Sequence, residues 1–190
     1  MDIRSLVAAF LCWSTIASGQ TSVAAKTYDV EDAYQIYNLL LPHEESYGRA
    51  KGMLIIQEET MSKVPASLAC LTPEKAQRFK DAIADYTRLN RKKGLLTRRL
   101  QIKKSYEILS SDAIVALFKN GGWGRFYKRY PDSGGYFTMS SVGFNKQKTR
   151  AVVYTGSACG SRCGRWRFHL VKKINGNWKE VPGVSCFAAF

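Results

Sequence analysis

Two cysteines stand four residues apart in YTGSACGSRCGRW, Tyr154–Trp166, ringed by glycine and arginine. That spacing admits a metal clip, a redox pair or a stapled turn, and each asks for different company. A zinc site ordinarily shows two short-spaced ligand pairs. Cys70 and Cys186 stand alone, and the two histidines, His43 and His169, lie far apart, so no metal set is expected. A redox pair is more often Cys-x-x-Cys opening a helix after a strand. Cys159 and Cys163 instead enclose three residues in what reads as a β-hairpin connection, which favours the stapled turn.

Other chemistries find less support. General acid–base work would use Glu58 or Glu59 with His43 or His169, yet nothing in their spacing brings them together. Cys/His catalysis needs a free thiolate, which an even set of cysteines in an exported chain argues against. The chain has no phosphate-binding glycine loop, no His-Glu-x-x-His and no Gly-x-Ser-x-Gly, so neither a cofactor nor a catalytic residue is assigned.

The compartment decides how the cysteines are read. Arg4, an apolar run from Leu6 to Ala17 and small residues after it have the layout of a secretory signal peptide over residues 1–25. Cleavage is expected after Gly19 or after Ala25. The run is shorter than the roughly 20 residues of a permanent membrane helix, so no integral span is expected in the mature chain. Loss of Cys12 leaves Cys70, Cys159, Cys163 and Cys186, with three possible pairings. Cys159 with Cys163 and Cys70 with Cys186 is the expected one. In the chain-entropy model the short bridge gives about 2 kcal/mol and the long one about 5 kcal/mol.

Residues 26–190 are enough for one domain, burying roughly 70% of the surface of its unfolded chain. Asp29 is positioned to cap a helix carrying Ala33, Ile36, Tyr37, Leu40 and Leu41 that Pro42 stops. Met53–Gln57 reads as a strand. Thr72-Pro73-Glu74 opens a helix with Ala76, Phe79, Ile83 and Tyr86 on one face. Leu100–Leu109 is ambiguous, and Asp112–Lys119 and Trp123–Tyr130 read as helices. From Gly135 the period becomes two, with strands at Tyr136–Phe144, Arg150–Thr155, Arg165–Lys173 and Trp178–Cys186; Asn175-Gly176 is a hairpin turn. The expected fold class is α+β, with N-terminal helices packed on one face of a curved C-terminal antiparallel β-meander. A cystatin-like or nuclear-transport-factor-like roll is the nearest named architecture.

The segment Trp123–Trp178 joins five features in order: an aromatic helix ending in Tyr130-Pro131, Val142-Gly143-Phe144-Asn145, Ala151-Val152-Val153-Tyr154, the Cys-Gly turn and the Gly176-Asn177-Trp178 hairpin. In this it resembles a family of uncharacterised exported bacterial proteins. The likeness implies a bacterial exported domain, and it transfers no activity and no catalytic residue. Where the family carries a tryptophan near its C-terminal end, this chain has Cys186-Phe187.

Charge is regional within a formal net of +14. Lys26–Thr87 carries seven basic and ten acidic residues, Arg88–Asp112 eight and two, and Ala113–Phe190 thirteen and two. The densest block, Arg88–Lys104, includes Arg88, Arg91, Lys92, Lys93, Arg98 and Arg99 and no acid. Such a block attracts polyanions through a field screened over about 10 Å. A second cationic surface is expected where Arg165, Arg167 and His169 alternate with Trp166, Phe168 and Leu170, beside Arg162. Trp123, Phe126, Tyr127 and Tyr130 fall at helical spacing and are expected to pack as core. Two functional readings result. One is a non-enzymatic exported domain binding an anionic polymer or lipid head groups of the envelope or exterior. The other is an exported hydrolase with a pocket between helices and sheet.

Overall fold

Side chains alternate across a strand, so a strand with apolar residues in succession has to be covered on both faces. Leu54-Ile55-Ile56 and Ala151-Val152-Val153 are two such runs. The computed structural model describes residues 26–28, 30–43, 52–62, 70–119, 121–184 and 187–189. In chain order its elements begin with β1 (Lys26–Thr27), α1 (Glu31–Leu40), a 3-10 turn (Leu41–His43) and β2 (Met53–Gln57). Next come α2 (Pro73–Arg78), α3 (Lys80–Leu89), β3 (Gly94–Leu95), β4 (Ser105–Leu109), α4 (Ser111–Lys119) and α5 (Gly122–Arg129). The chain then runs through β5 (Ser133–Met139), β6 (Gly143–Phe144), β7 (Arg150–Gly160), β8 (Cys163–Ile174), β9 (Asn177–Glu180) and β10 (Phe187–Ala189).

The main sheet has the order β10-β8-β7-β5-β2-β4, with β6 on β7 and β9 on β8. Strands β5 to β9 pair antiparallel, as their period-two pattern predicts. β2 departs from the expected meander by lying parallel between β4 and β5; its apolar centre, buried on both faces, suits that interior place. The fold is α+β with a curled, mostly antiparallel sheet. Between β8 and β9 the register leaves Asn175-Gly176 as a two-residue loop, with φ of 50° and 78°, the left-handed pair that Asn-Gly adopts at least cost.

The helices cover both faces of the sheet rather than one. On the first face α1 lays Ala33, Ile36, Tyr37 and Leu40 over Leu54, Ile56, Phe137, Met139, Ala151, Val153 and Val171. On the second, α3 and its N-cap Phe79 set Phe79, Ala82 and Tyr86 against Val152, Phe168 and Leu170. α4, α5 and the α5 C-cap Tyr130 fill the far end of that face, with Ile114, Phe126 and Tyr130 against Ile55 and Leu109. The aromatic stripe of α5 is therefore core, as its spacing predicts. Among the described residues no helix is long and apolar enough to cross a membrane.

Polar contacts lock the layers in place. The α1 capping position falls on Val30 rather than Asp29, which lies outside the described residues. Asp32 in the first turn of α1 accepts from Lys173 Nζ at 2.7 Å and Trp178 Nε1 at 3.1 Å, pinning the β8–β9 hairpin to the helix. Thr72 caps α2 as expected, and Asn90 closes α3 by bridging Tyr86 and Ser141 backbone groups. At Gly143 helix and sheet meet backbone to backbone: a Cβ there would overlap the backbone of Tyr86 and the carbonyl of Ala82.

Gly143→Ala is therefore expected to lower stability by about 1–3 kcal/mol, because backbone rather than a flexible side chain has to yield. Tyr86→Phe, at the same contact, removes a buried hydroxyl with no hydrogen-bond partner among the described residues and is expected to be neutral or stabilising. Denaturant midpoints of the two variants compare them directly. A fully stable Gly143→Ala protein would mean that α3 does not press on β6 as described.

Candidate functional site

The β7–β8 register carries one extra residue on β7, Cys159, between Ala158 and Gly160. A disulfide joins it to Cys163, with the Cα atoms 5.0 Å apart. The stretch is thus a stapled turn, and its sulfurs serve neither as metal ligands nor as a thiolate nucleophile. Tyr127 Oη donates to the Cys159 carbonyl at 2.8 Å, tying α5 to the staple. Cys70 is also disulfide-bonded; its expected partner, Cys186, lies outside the described residues.

The expected outward row of β8 is corrected by the structure. The alternation is right, and Phe168 and Leu170 are buried against α3. The opposite face, however, is interior as well, and His169 is 1% exposed. Its Nε2 lies 2.8 Å from Thr155 Oγ1 and its Nδ1 2.9 Å from Glu180 Oε1, which also pairs with Arg167 at 3.0 Å. These groups share the first face because Val153 opposes His169, Thr155 opposes Arg167 and Val171 opposes Glu180. Hydroxyl, imidazole and carboxylate stand in the order of a nucleophile, its base and the base's orienting group. The Thr155 hydroxyl is on a residue only 2% exposed, so the arrangement first of all satisfies buried polar groups. The sequence signal for it is slight: Thr155 and His169 are polar residues interrupting apolar strand runs.

Some cations of Arg88–Lys104 form ion pairs among the described residues, and others are exposed. Arg88 reaches Asp85 at 2.6 Å, while Arg99 pairs with Glu31 and lies 5.4 Å over the Tyr34 ring. Arg91, Lys92 and Lys93 are exposed together on the turn that closes α3, and Arg98 is exposed further along. On the second predicted surface Arg162 is exposed at the staple and Arg165 is half-buried, while Arg167 is bound to Glu180. Fewer of the cations in the two proposed surfaces are exposed and outside an ion pair than the residue count implies.

The acid–base candidates do not meet. Glu59 accepts from the Ser111 amide at 2.8 Å and the Ser111 hydroxyl at 2.6 Å, which places its carboxylate at the start of α4. His169 belongs to the separate Thr155–Glu180 network, and the side chain of His43 lies outside the described residues. Burial works against the charge of Glu59, but the hydrogen bonds from Ser111 outweigh it and, with its own amide and nearby Lys93, hold the carboxyl below its ordinary range. Asp32 behaves alike: burial opposes its charge, and Lys173 and Trp178 overcome that opposition.

Both carboxyls have folded pKa values below their unfolded ones, so the stability they contribute is complete above the unfolded values of 3.8 and 4.5 and is lost as pH falls through the folded values. The melting temperature is expected to be flat from about pH 7 to about pH 5.5 and to decline below about pH 4.5. Asp32→Asn and Glu59→Gln should each lower the plateau and flatten the acid decline. An unchanged acid limb in the double variant would remove this account.

No family model matches the chain, and no curated protein and no solved structure matches it either.

Proposed function

We propose that the protein is an exported, non-enzymatic basic domain that binds an anionic envelope or extracellular component. The observation that supports this reading best is the exposed group Arg91-Lys92-Lys93, which makes no ion pair among the described residues. It follows a helix whose nearest acid, Asp85, is already taken by Arg88. The disulfide staple suits an oxidising compartment. Clustered exposed cations on a chain of net +14 concentrate polyanions by their summed field.

Affinity for a sulfated polysaccharide is expected to fall by roughly ten- to a hundredfold between about 50 and 200 mM salt. Binding that ignores salt would count decisively against a charge-driven mode.

A second reading, an exported hydrolase, is favoured by the Thr155–His169–Glu180 series. It expects turnover of an activated ester that disappears in both Thr155→Val and His169→Gln. Hydrolysis surviving in these variants, or absent from the folded wild type, would dismiss it.

A further inference from the structure

The register of the β7–β8 hairpin sets Arg150 directly opposite Lys172. Like charges facing each other across an antiparallel pair repel and destabilise it, and among the described residues neither side chain has a carboxylate partner. Both side chains share the second face of the sheet, where α2 brings two further cations to the same place. Lys75 and Arg78 line one cavity of about 230 Å³ together with Arg150 and Lys172. The acid on the wall, Glu74, is paired with Arg78 at 3.2 Å. Lys75 is positioned by the carbonyls of Pro182 and Gly183, at 3.3 Å and 2.5 Å, which fixes its ammonium at the rim. Phe79 and Val181 supply an apolar floor that lowers the local dielectric and strengthens charge interactions.

A site that breaks a local rule without an internal remedy is where a ligand is expected to supply one. Lys173 also lines the cavity but is held by Asp32 at 2.7 Å; the other four cations against Glu74 leave a local excess of three positive charges, more than a single carboxylate neutralises. A phosphoryl group, carrying about two negative charges and three acceptor oxygens, fits the charge and matches guanidinium forks. The cavity is smaller than the roughly 300–1,000 Å³ of drug-sized ligand pockets, in keeping with one anionic group rather than a whole small molecule. We infer that the groove formed by Lys75, Arg78, Arg150 and Lys172 is a seat for a phosphoryl group borne by a polymer, a lipid or a free anion. The inference rests on the reading of the protein as an anion binder and moves its specific contact away from the Arg91–Lys93 turn. No motif announces it, since its residues come from segments separated by some 70 positions.

The full chain, disulfides intact, is titrated with inorganic phosphate, sodium tripolyphosphate and phosphatidylglycerol vesicles at constant ionic strength set by sodium chloride. These three probes distinguish a free anion, a chain and a lipid head group as source. Tripolyphosphate is expected to raise the melting temperature of the wild type. Lys172→Glu and Arg150→Gln are each expected to weaken binding by about tenfold or more, while their melting temperatures without phosphate equal or exceed that of the wild type, because the repulsion is relieved. Arg91→Ala/Lys92→Ala/Lys93→Ala should keep phosphate binding within about twofold, as exposed charges outside the seat act only through a screened field. Wild-type affinity in both groove variants, with loss in the turn variant, would overturn the seat and leave the anion-binding reading standing. A wild type that binds none of the probes and no sulfated polysaccharide would overturn both.

Discussion

Two-sided burial of the central strands is the constraint from which the rest of the molecule follows. Ala151-Val152-Val153 in β7 and Leu54-Ile55-Ile56 in β2 place apolar side chains on both faces of one sheet, and each such side chain left in water would cost about 1.5–3 kcal/mol. A one-layer arrangement therefore fails for this sequence. α1 has to close one face and α3, α4 and α5 the other, which makes the protein three layers thick along most of the sheet.

That layering explains where the polar groups are spent. Where helices close both faces, a polar residue at the covered centre of the sheet or at a helix end packed on it is buried and has to find its partners in the interior. His169 does so with Thr155 and Glu180, and Asn90 does so with the backbone of Ser141. Asp32 performs the same service between layers, since one carboxylate joins the first turn of α1 to both strands of the β8–β9 hairpin. Gly143 is the complement of these contacts: α3 lies so near β6 that only a residue without a side chain leaves room for it.

Electrostatics then sorts the cations. The fold commits Arg88, Arg99, Arg167 and Lys173 to the carboxylates that lie within reach. It leaves Arg91–Lys93 on a turn and gathers Lys75, Arg78, Arg150 and Lys172 around a hollow. Exposed ion pairs are worth little to stability, so their larger effect here is to decide which charges remain open to a partner.

Much of the local structure and the staple can be read from the sequence, although it runs β5 and β6 together, joins α2 to α3 and carries the last hairpin strand beyond Glu180, where β9 ends. Periodicity placed β2, α3, α4 and α5, Asn175-Gly176 fixed the β8–β9 turn, and four-residue spacing paired Cys159 with Cys163, because each of these depends on residues close together in the chain. The parallel insertion of β2, the second covered face and the fate of His169 were not legible there. Alternation tells which residues share a face but not whether that face meets water, and this depends on helices contributed from elsewhere in the chain. The same holds for charge: a run of lysines and arginines reads identically whether a distant Asp or Glu lies against it or not. Which cations are neutralised, and which meet around the α2 groove, is a matter of long-range register and packing, and only the tertiary structure decides it.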